Sequence, residues 1–291
     1  MLDLRCIGDV MLDVRADAGL LARGGDVHGR VRLRPGGTSA NAAVWAAWSG
    51  ARAGVTAAVG DDVAGELCVE ALRARGVDVT GVTRRPAGTG VMLVLTEQGE
   101  RSMIADRGAN AALTVEDLPG DDAAAVLVSG YLFLQEPGHE VAAAAIAGAA
   151  GSLCAIDAAS WPLLESFGVA RFLEVAGACD AILANEREAA TLTGRAGAEA
   201  AAALGERFRI AAVKRGETGA ALVVDGLPFR EAGRPLKERD PTGAGDAFDG
   251  VLLAGLVRGL EPADALAFAC RAGERVAGGE ESWPAVGERR S

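Results

Sequence analysis

Asp240-Pro241-Thr242-Gly243-Ala244-Gly245-Asp246-Ala247-Phe248 is the stretch on which the reading of this 291-residue chain turns. A glycine-rich turn runs straight into an apolar, helix-forming run at 247–256. Glycines let the backbone bend so that several N–H groups point to one spot. A helix start adds unsatisfied N–H donors and the positive end of the dipole. Together these predict an anion site suited to the charge on a transferring phosphoryl group. Asp246 stands at the same helix start, where a carboxylate can take the proton of a substrate hydroxyl. An Asp there also reads as a plain N-cap. A carboxylate inside an anion-attracting turn is electrostatically awkward, which favours the chemical role. The turn is not a Walker A loop, which needs a Lys directly after its last glycine. The whole chain holds only Lys214 and Lys237. Nor is it the dinucleotide fingerprint, because the third glycine is missing.

On either side of this stretch, strand-length and helix-length apolar runs alternate, which predicts a mostly parallel sheet with helices on both faces. Strands are expected at 4–8, 54–59, 125–129, 154–157, 181–185, 210–214 and 220–224, and helices at 38–48, 61–75, 139–150, 186–193, 245–258 and 262–277. Gly76 ends the second helix. The alternation breaks at 91–96 and 101–104, which flank Glu97-Gln98-Gly99-Glu100 and read as a hairpin. A further β-rich run lies at 27–33. Together they predict a small sheet projecting from one domain of residues 1–291, a lid built from about 14–34 and 80–107.

Half of the residues are apolar and only 4% are aromatic, so Ala, Val and Leu must build the core. The net charge is −11, and the short arginine runs at 30–34, 73–75 and 84–85 read as solvated surface. A nucleic-acid partner is not expected, since that needs a basic face, and neither is an anionic membrane surface. Five widely spaced cysteines, Cys6, Cys68, Cys154, Cys179 and Cys270, suggest neither disulfides nor zinc. They read as free buried thiols of a cytoplasmic protein. The first residues are too charged for a secretory leader, and no apolar run approaches the roughly 20 residues of a spanning helix.

The nine residues at 240–248 resemble the C-terminal signature of the ribokinase-like, phosphofructokinase-B-type sugar and nucleoside kinases. Gly36-Gly37-Thr38-Ser39-Ala40-Asn41-Ala42-Ala43 resembles that family's N-terminal signature, followed by the strand at 54–59 and Val59-Gly60-Asp61-Asp62. The likeness runs over roughly 3–284. It implies a three-layer α/β/α sandwich with a β-sheet lid, and ATP and Mg²⁺ as cofactors. It implies Asp246 as base and the backbone of Gly243, Ala244 and Gly245 as anion hole. Asp13, Gly36, Gly37 and Asn41 would line the substrate pocket. Asn185 and Glu188, in Asn185-Glu186-Arg187-Glu188, would order Mg²⁺ through its waters. Lys214, Gly216 and Gly219 would bind ATP, and Asp240, Thr242 and Ser282, near Gly278-Gly279-Glu280-Glu281-Ser282, are its candidate K⁺ ligands.

The departures carry information too. Thr38-Ser39 replaces the Lys-Gly pair of ribose-specific members, which speaks against ribose and against a phosphosugar. Asp249 stands where many relatives have Asn or a small residue, with no effect assigned. Arg107 follows the hairpin and is placed to meet a carboxylate or a neutral hydroxyl, or to lie on the surface. The implied function is phosphorylation of a sugar or sugar acid. A nucleoside kinase is the alternative, with Trp45, Trp48, Phe133 and Trp161 as available aromatics. A non-catalytic sugar- or nucleotide-binding regulator is the third reading, disfavoured because a binder needs no base. Relatives often pair through lid strands, which implies a homodimer.

Overall fold

A computed structural model describes residues 1–22, 24–97, 100–120, 123–236, 240–279 and 281–288, without the side chains of Glu100 and Arg101. Gln98 and Gly99 of the expected hairpin turn, Lys237 and Glu280 lie outside the described residues.

The chain opens with β1 (Leu2–Ile7), β2 (Met11–Ala18), β3 (Gly29–Gly36), α1 (Thr38–Trp48), β4 (Ala53–Gly60) and α2 (Val63–Arg73). Next come β5 (Asp78–Arg85), β6 (Gly90–Glu97), β7 (Glu100–Asp106), β8 (Ala123–Val128), α3 (Gly130–Phe133), α4 (Gly138–Gly148) and β9 (Leu153–Asp157). Then follow α5 (Trp161–Phe167), α6 (Val169–Ala176), β10 (Ala181–Asn185), α7 (Glu186–Thr193), α8 (Gly197–Gly205) and β11 (Ile210–Lys214). The chain closes with β12 (Ala220–Val224), β13 (Leu227–Glu231), α9 (Ala244–Val257) and α10 (Pro262–Gly278).

Nine strands form one sheet in the order β13-β12-β11-β10-β9-β8-β1-β4-β5. Every pairing from β11 to β5 is parallel, and β12 and β13 add an antiparallel hairpin at one edge. Successive side chains of a strand face opposite ways, and here both faces are covered. Leu127, Ala155 and Leu183 pack against the layer of α1, α2, α9 and α10. Val126, Val128, Ile156 and Ile182 pack against α3 to α8. Strands buried on both faces read as continuous apolar runs, which is why β8 to β11 are plain in the sequence. This is the three-layer α/β fold expected.

A second sheet has the order β3-β2-β6-β7, with β2 and β6 parallel and the outer pairs antiparallel. Its second half begins at Gly90, so residues 80–85, grouped with the projecting sheet on sequence, run instead in β5 at the edge of the large sheet. Gly81 makes that possible: a Cβ there would stand 2.8 Å from the Val55 carbonyl oxygen. The stretch at 161–176, not assigned on sequence, is two short helices broken at Gly168, whose φ is +98°. All five cysteines are free and buried. No helix among the described residues is long and apolar enough to cross a membrane.

Candidate active site

In open α/β sheets ligands bind outside the carboxyl ends of the strands. At that end stand Asp9 just after β1, Asp157 closing β9, Asn185 closing β10 and Lys214 closing β11. The amino end of α9 points to the same place, and the small sheet faces it with Met11, Asp13, Met92 and Val94. Between them lies a cleft of about 670 Å³.

Asp246 lies at this cleft in the first turn of α9. Its side chain does not cap the helix. Gly243 is the N-cap, with a left-handed φ of +85°, and no side-chain cap bond is made. Instead the Asp246 carboxylate Oδ2 accepts from Asn41 Nδ2 at 2.7 Å. The Asn41 Oδ1 accepts from the indole N–H of Trp283 at 2.6 Å. An indole can only donate, so Trp283 fixes which way the Asn41 amide faces, and Asn41 fixes Asp246. The carboxyl is pushed up to about 7, first by burial and then by the charge of Asp157, with the Asn41 N–H and the Lys214 ammonium opposing.

The glycine turn offers donors, with one change from expectation. The Ala244 N–H is spent on the Pro241 carbonyl at 3.0 Å. Gly245 and Asp246 occupy the next two helical positions, where no intrahelical acceptor exists. Of the three expected donors Ala244 is thus spent within the turn, and the Asp246 N–H joins that of Gly245.

Asp13 is buried on β2, and burial raises its carboxyl while Arg15 opposes. Gly36 is opposite, where a Cβ would come within 2.9 Å of that carboxylate. Gly37 has a φ of +101°, and a Cβ would stand 2.4 Å from the Asp9 carbonyl oxygen. Both glycines are thus required by close approach. Arg107 Nη2 reaches buried Asp9 at 3.5 Å. Its Nε and Nη1 are buried without an acceptor among the described residues, and the side chain lines the cleft.

Asn185 and Glu188 form a reciprocal cap at the start of α7. The Asn185 Oδ1 accepts from the Glu188 N–H at 3.0 Å, and Glu188 Oε2 accepts from the Asn185 N–H at 2.7 Å. Asn185 Nδ2 donates to the other Glu188 oxygen. Burial and the nearby Asp157 push Glu188 up to about 7, against the pull of Lys214. Asp157, Glu188 and Asp246 give the cleft an excess of negative charge that a divalent cation would neutralise. Both Glu188 oxygens already accept from Asn185, which suits contact through water. Among the described residues no group of three or more His, Cys, Asp or Glu is arranged to hold a metal directly.

Of the expected K⁺ ligands, Asp240 and the Ser282 carbonyl have protein partners. Asp240 pairs with Arg15 and accepts from the Thr242 N–H at 3.0 Å, and the Ser282 carbonyl accepts from Trp45 Nε1 at 2.9 Å. An arginine already serves as the counter-ion of Asp240. Gly216 and Gly219 line the cleft beyond Lys214. Gly219 is demanded by the backbone: its φ is +90°, and a Cβ would stand 2.0 Å from the Glu231 carbonyl oxygen. The four aromatics considered for a base pocket are elsewhere. Trp45 and Trp48 stack edge-on in the core with centroids 5.0 Å apart, Phe133 is buried in the other layer, and Trp161 is part-exposed. Tyr131 and Phe248 line the cleft instead.

The sequence alone does not single out Asp157 or Trp283. Asp157 ends an apolar run, as Asn185 does, and that pattern was a usable signal. Trp283 lies 242 residues from Asn41, and nothing local announces it.

Residues 1–281 match the pfkB family carbohydrate kinase profile. The ATP-dependent ribose-1-phosphate kinase of Halopiger xanaduensis is 30% identical, covering 86% of this chain and 82% of that protein. The 5-dehydro-2-deoxygluconokinase of Clostridium perfringens is 26% identical, covering 80% and 75%. The crystal structure of adenosine kinase from Sinorhizobium meliloti superposes with a TM-score of 0.85 at 25% identity, covering 98% and 96%.

Proposed function

Because this chain belongs to the pfkB family of carbohydrate kinases, we propose that it moves the terminal phosphoryl group of ATP to a hydroxyl of a small sugar or sugar acid, with Asp246 as the general base. The observation that carries this reading is the Trp283–Asn41–Asp246 chain of hydrogen bonds. It aims a carboxylate with a pKa near neutrality into the cleft, one residue from the free N–H of Gly245. In the step, the acceptor oxygen bonds to the terminal phosphorus as that phosphorus parts from the β-phosphate oxygen. The acceptor proton goes to Asp246, and ADP leaves. Little covalent work falls to the protein in phosphoryl transfer, so positioning and charge dominate.

Mg²⁺, when bound, neutralises the phosphate oxygens, and Glu188 and Asp157 would hold its waters. Asp13, Asp9 and the backbone freed by Gly36 and Gly37 orient the acceptor. Arg107, with two side-chain nitrogens, Nε and Nη1, lacking an acceptor among the described residues, takes a carboxylate or carbonyl oxygen. That favours a sugar acid, and one relative is named for phosphorylating such a compound. A nucleoside acceptor remains the second reading, supported by Met11, Met92 and Val94 along one wall and by the adenosine kinase likeness. The small sheet acts as the lid, and two copies pair through its outer face. Buried free thiols suit a reducing cytoplasm.

The test is ADP release from Mg·ATP against sugars, sugar acids and nucleosides, followed by Asp246→Asn on the best acceptor. Turnover should fall about 10²–10⁴-fold while acceptor binding persists. Near-normal turnover by the variant would remove Asp246 from the role. Turnover on nucleosides alone would select the second reading, and binding without turnover would mark a regulator.

A further inference from the structure

Lys214, part-buried at the cleft, and buried Asp249 make a pair that the step above does not use. Lys214 Nζ donates to Asp249 Oδ2 at 2.6 Å and to Asp157 Oδ2 at 3.2 Å. Asp249 is 1% exposed, and its Oδ1 has no partner among the described residues. An ammonium has three N–H groups, and the third has no acceptor among the described residues.

The geometry places the ammonium beside the glycine turn. A Cβ placed on Gly245 would stand 3.5 Å from Lys214 Nζ. The ammonium therefore sits directly against the turn whose N–H groups form the anion site, and Lys214 lines the cleft. Asp246 is the next residue. A phosphoryl group in transit to a hydroxyl held by Asp246 must pass this spot.

A purely structural account of the pair is poor. Buried ion pairs are weak contributors to stability, and apolar pairs of similar size often serve as well. A buried carboxylate oxygen left without a partner adds a further cost. Two carboxylates on one ammonium do fix its position tightly, and burial, though it opposes the charge, is outweighed by Asp249 and Asp157, so the lysine stays protonated.

We propose that Lys214 is the protein's own cation at the transferring phosphoryl group, with Asp249 as the residue that positions it. This rests on the kinase reading given above. Lys214 takes no proton and forms no bond. Its charge offsets the negative charge on the equatorial oxygens as the phosphorus–oxygen bonds exchange, as basic side chains do in other phosphoryl transfers.

The test compares binding of Mg·ADP with that of the Mg complex of β,γ-imido-ATP, by calorimetry, so that no acceptor need be known. Lys214→Met should weaken the imido-ATP complex about tenfold or more, the size of one charge-assisted hydrogen bond. Mg·ADP should change by less than about threefold. Lys214→Arg should recover part of the difference. Asp249→Asn should weaken imido-ATP in the wild-type background and change nothing further in Lys214→Met, because it acts through the lysine. The pair Lys214→Met with Asp249→Leu guards against misfolding: it should melt near the wild-type temperature yet keep the imido-ATP defect. Equal losses for both nucleotides would overturn the proposal. So would an Asp249→Asn effect undiminished without the lysine, or normal imido-ATP binding by the apolar pair. Wild-type protein that binds neither nucleotide would instead overturn the kinase reading itself.

Discussion

Asp246 is a carboxylate kept where it is poorly solvated. Burial raises it first, Asp157 adds to the rise, and the N–H of Asn41 and the charge of Lys214 only partly offset them. Two consequences follow from a pKa of about 7. A general base works only when ionised, so in the proposed role of Asp246 kcat/KM should climb as pH rises through about 7 and level off above it. Stability runs the other way. A carboxyl whose folded pKa lies above its unfolded value favours the fold at low pH, and that advantage is lost as pH rises through the folded pKa. Above pH 7 the fold bears the cost of an enclosed charge. Asp246→Asn keeps an acceptor for the Asn41 N–H and removes the charge. It should raise Tm at pH 8 and have a smaller effect at pH 5. A relief of about 1 kcal/mol corresponds to roughly 2 °C in a chain of this size. Scanning calorimetry at the two pH values checks this, and an Asn variant that melts lower at pH 8 would mean the carboxylate is well solvated after all.

Helices α1 and α9 carry the two halves of this arrangement, Asn41 on one and Asp246 on the other. They meet at Gly250, where a Cβ would stand 2.1 Å from the Ala42 carbonyl oxygen. A methyl there has to push the helices apart, and overpacking of this kind costs about 1–3 kcal/mol. Gly250→Ala should therefore lower Tm and, by separating Asn41 from Asp246, lower kcat as well. Gly148→Ala, at the end of α4 with nothing within 4 Å of its added carbon, is the control and should leave both unchanged or raise Tm slightly. Melting curves and initial rates on the two variants decide it. The same helices show what a sequence discloses. The expected span of α9, 245–258, lies within one residue of the observed helix at each end, because the glycine turn, the apolar run and the closing Arg258-Gly259 are all local signals. The buried strands were legible for the same reason. Strand β5 was not: its alternating Asp78-Val79-Thr80-Gly81-Val82 fits either sheet, and only pairing with β4 decides which. The roles of Asp157, Trp283 and Asp249 depend on residues distant in the chain, so their types were visible but their partners were not.

At the scale of the molecule, the small sheet has two unlike faces. Strand parity puts Met11, Asp13, Met92 and Val94 over the cleft and puts Leu12, Val14, Leu33, Leu93 and Ile104 on the other side. Leu33 and Val31 on β3 are 58% and 63% exposed, and Ile104 on β7 is 66% exposed. A contiguous apolar sheet face with open edges is a surface that soluble proteins normally cover. A second copy would supply a matching face by two-fold symmetry, since the same patch would then serve both sides. The inner face is tied down separately: Arg15 on β2 pairs with Asp240, and Arg34 on β3 pairs with Glu281 at 2.6 Å, joining the sheet to the loops on either side of α9 and α10. The sheet can thus stay over the cleft within one chain while its outer face is covered by another. Light scattering at micromolar concentration should give twice the 29.5 kDa chain mass. Val31→Lys with Ile104→Lys, both directed away from the cleft, should give monomers with the fold retained by circular dichroism. A wild-type monomer at that concentration, or a double variant that still pairs, would place the contact elsewhere or remove it. If the monomeric variant also binds its acceptor more weakly, the partner's sheet is helping to hold the cleft closed, and pairing is part of how the site excludes water from the phosphoryl group.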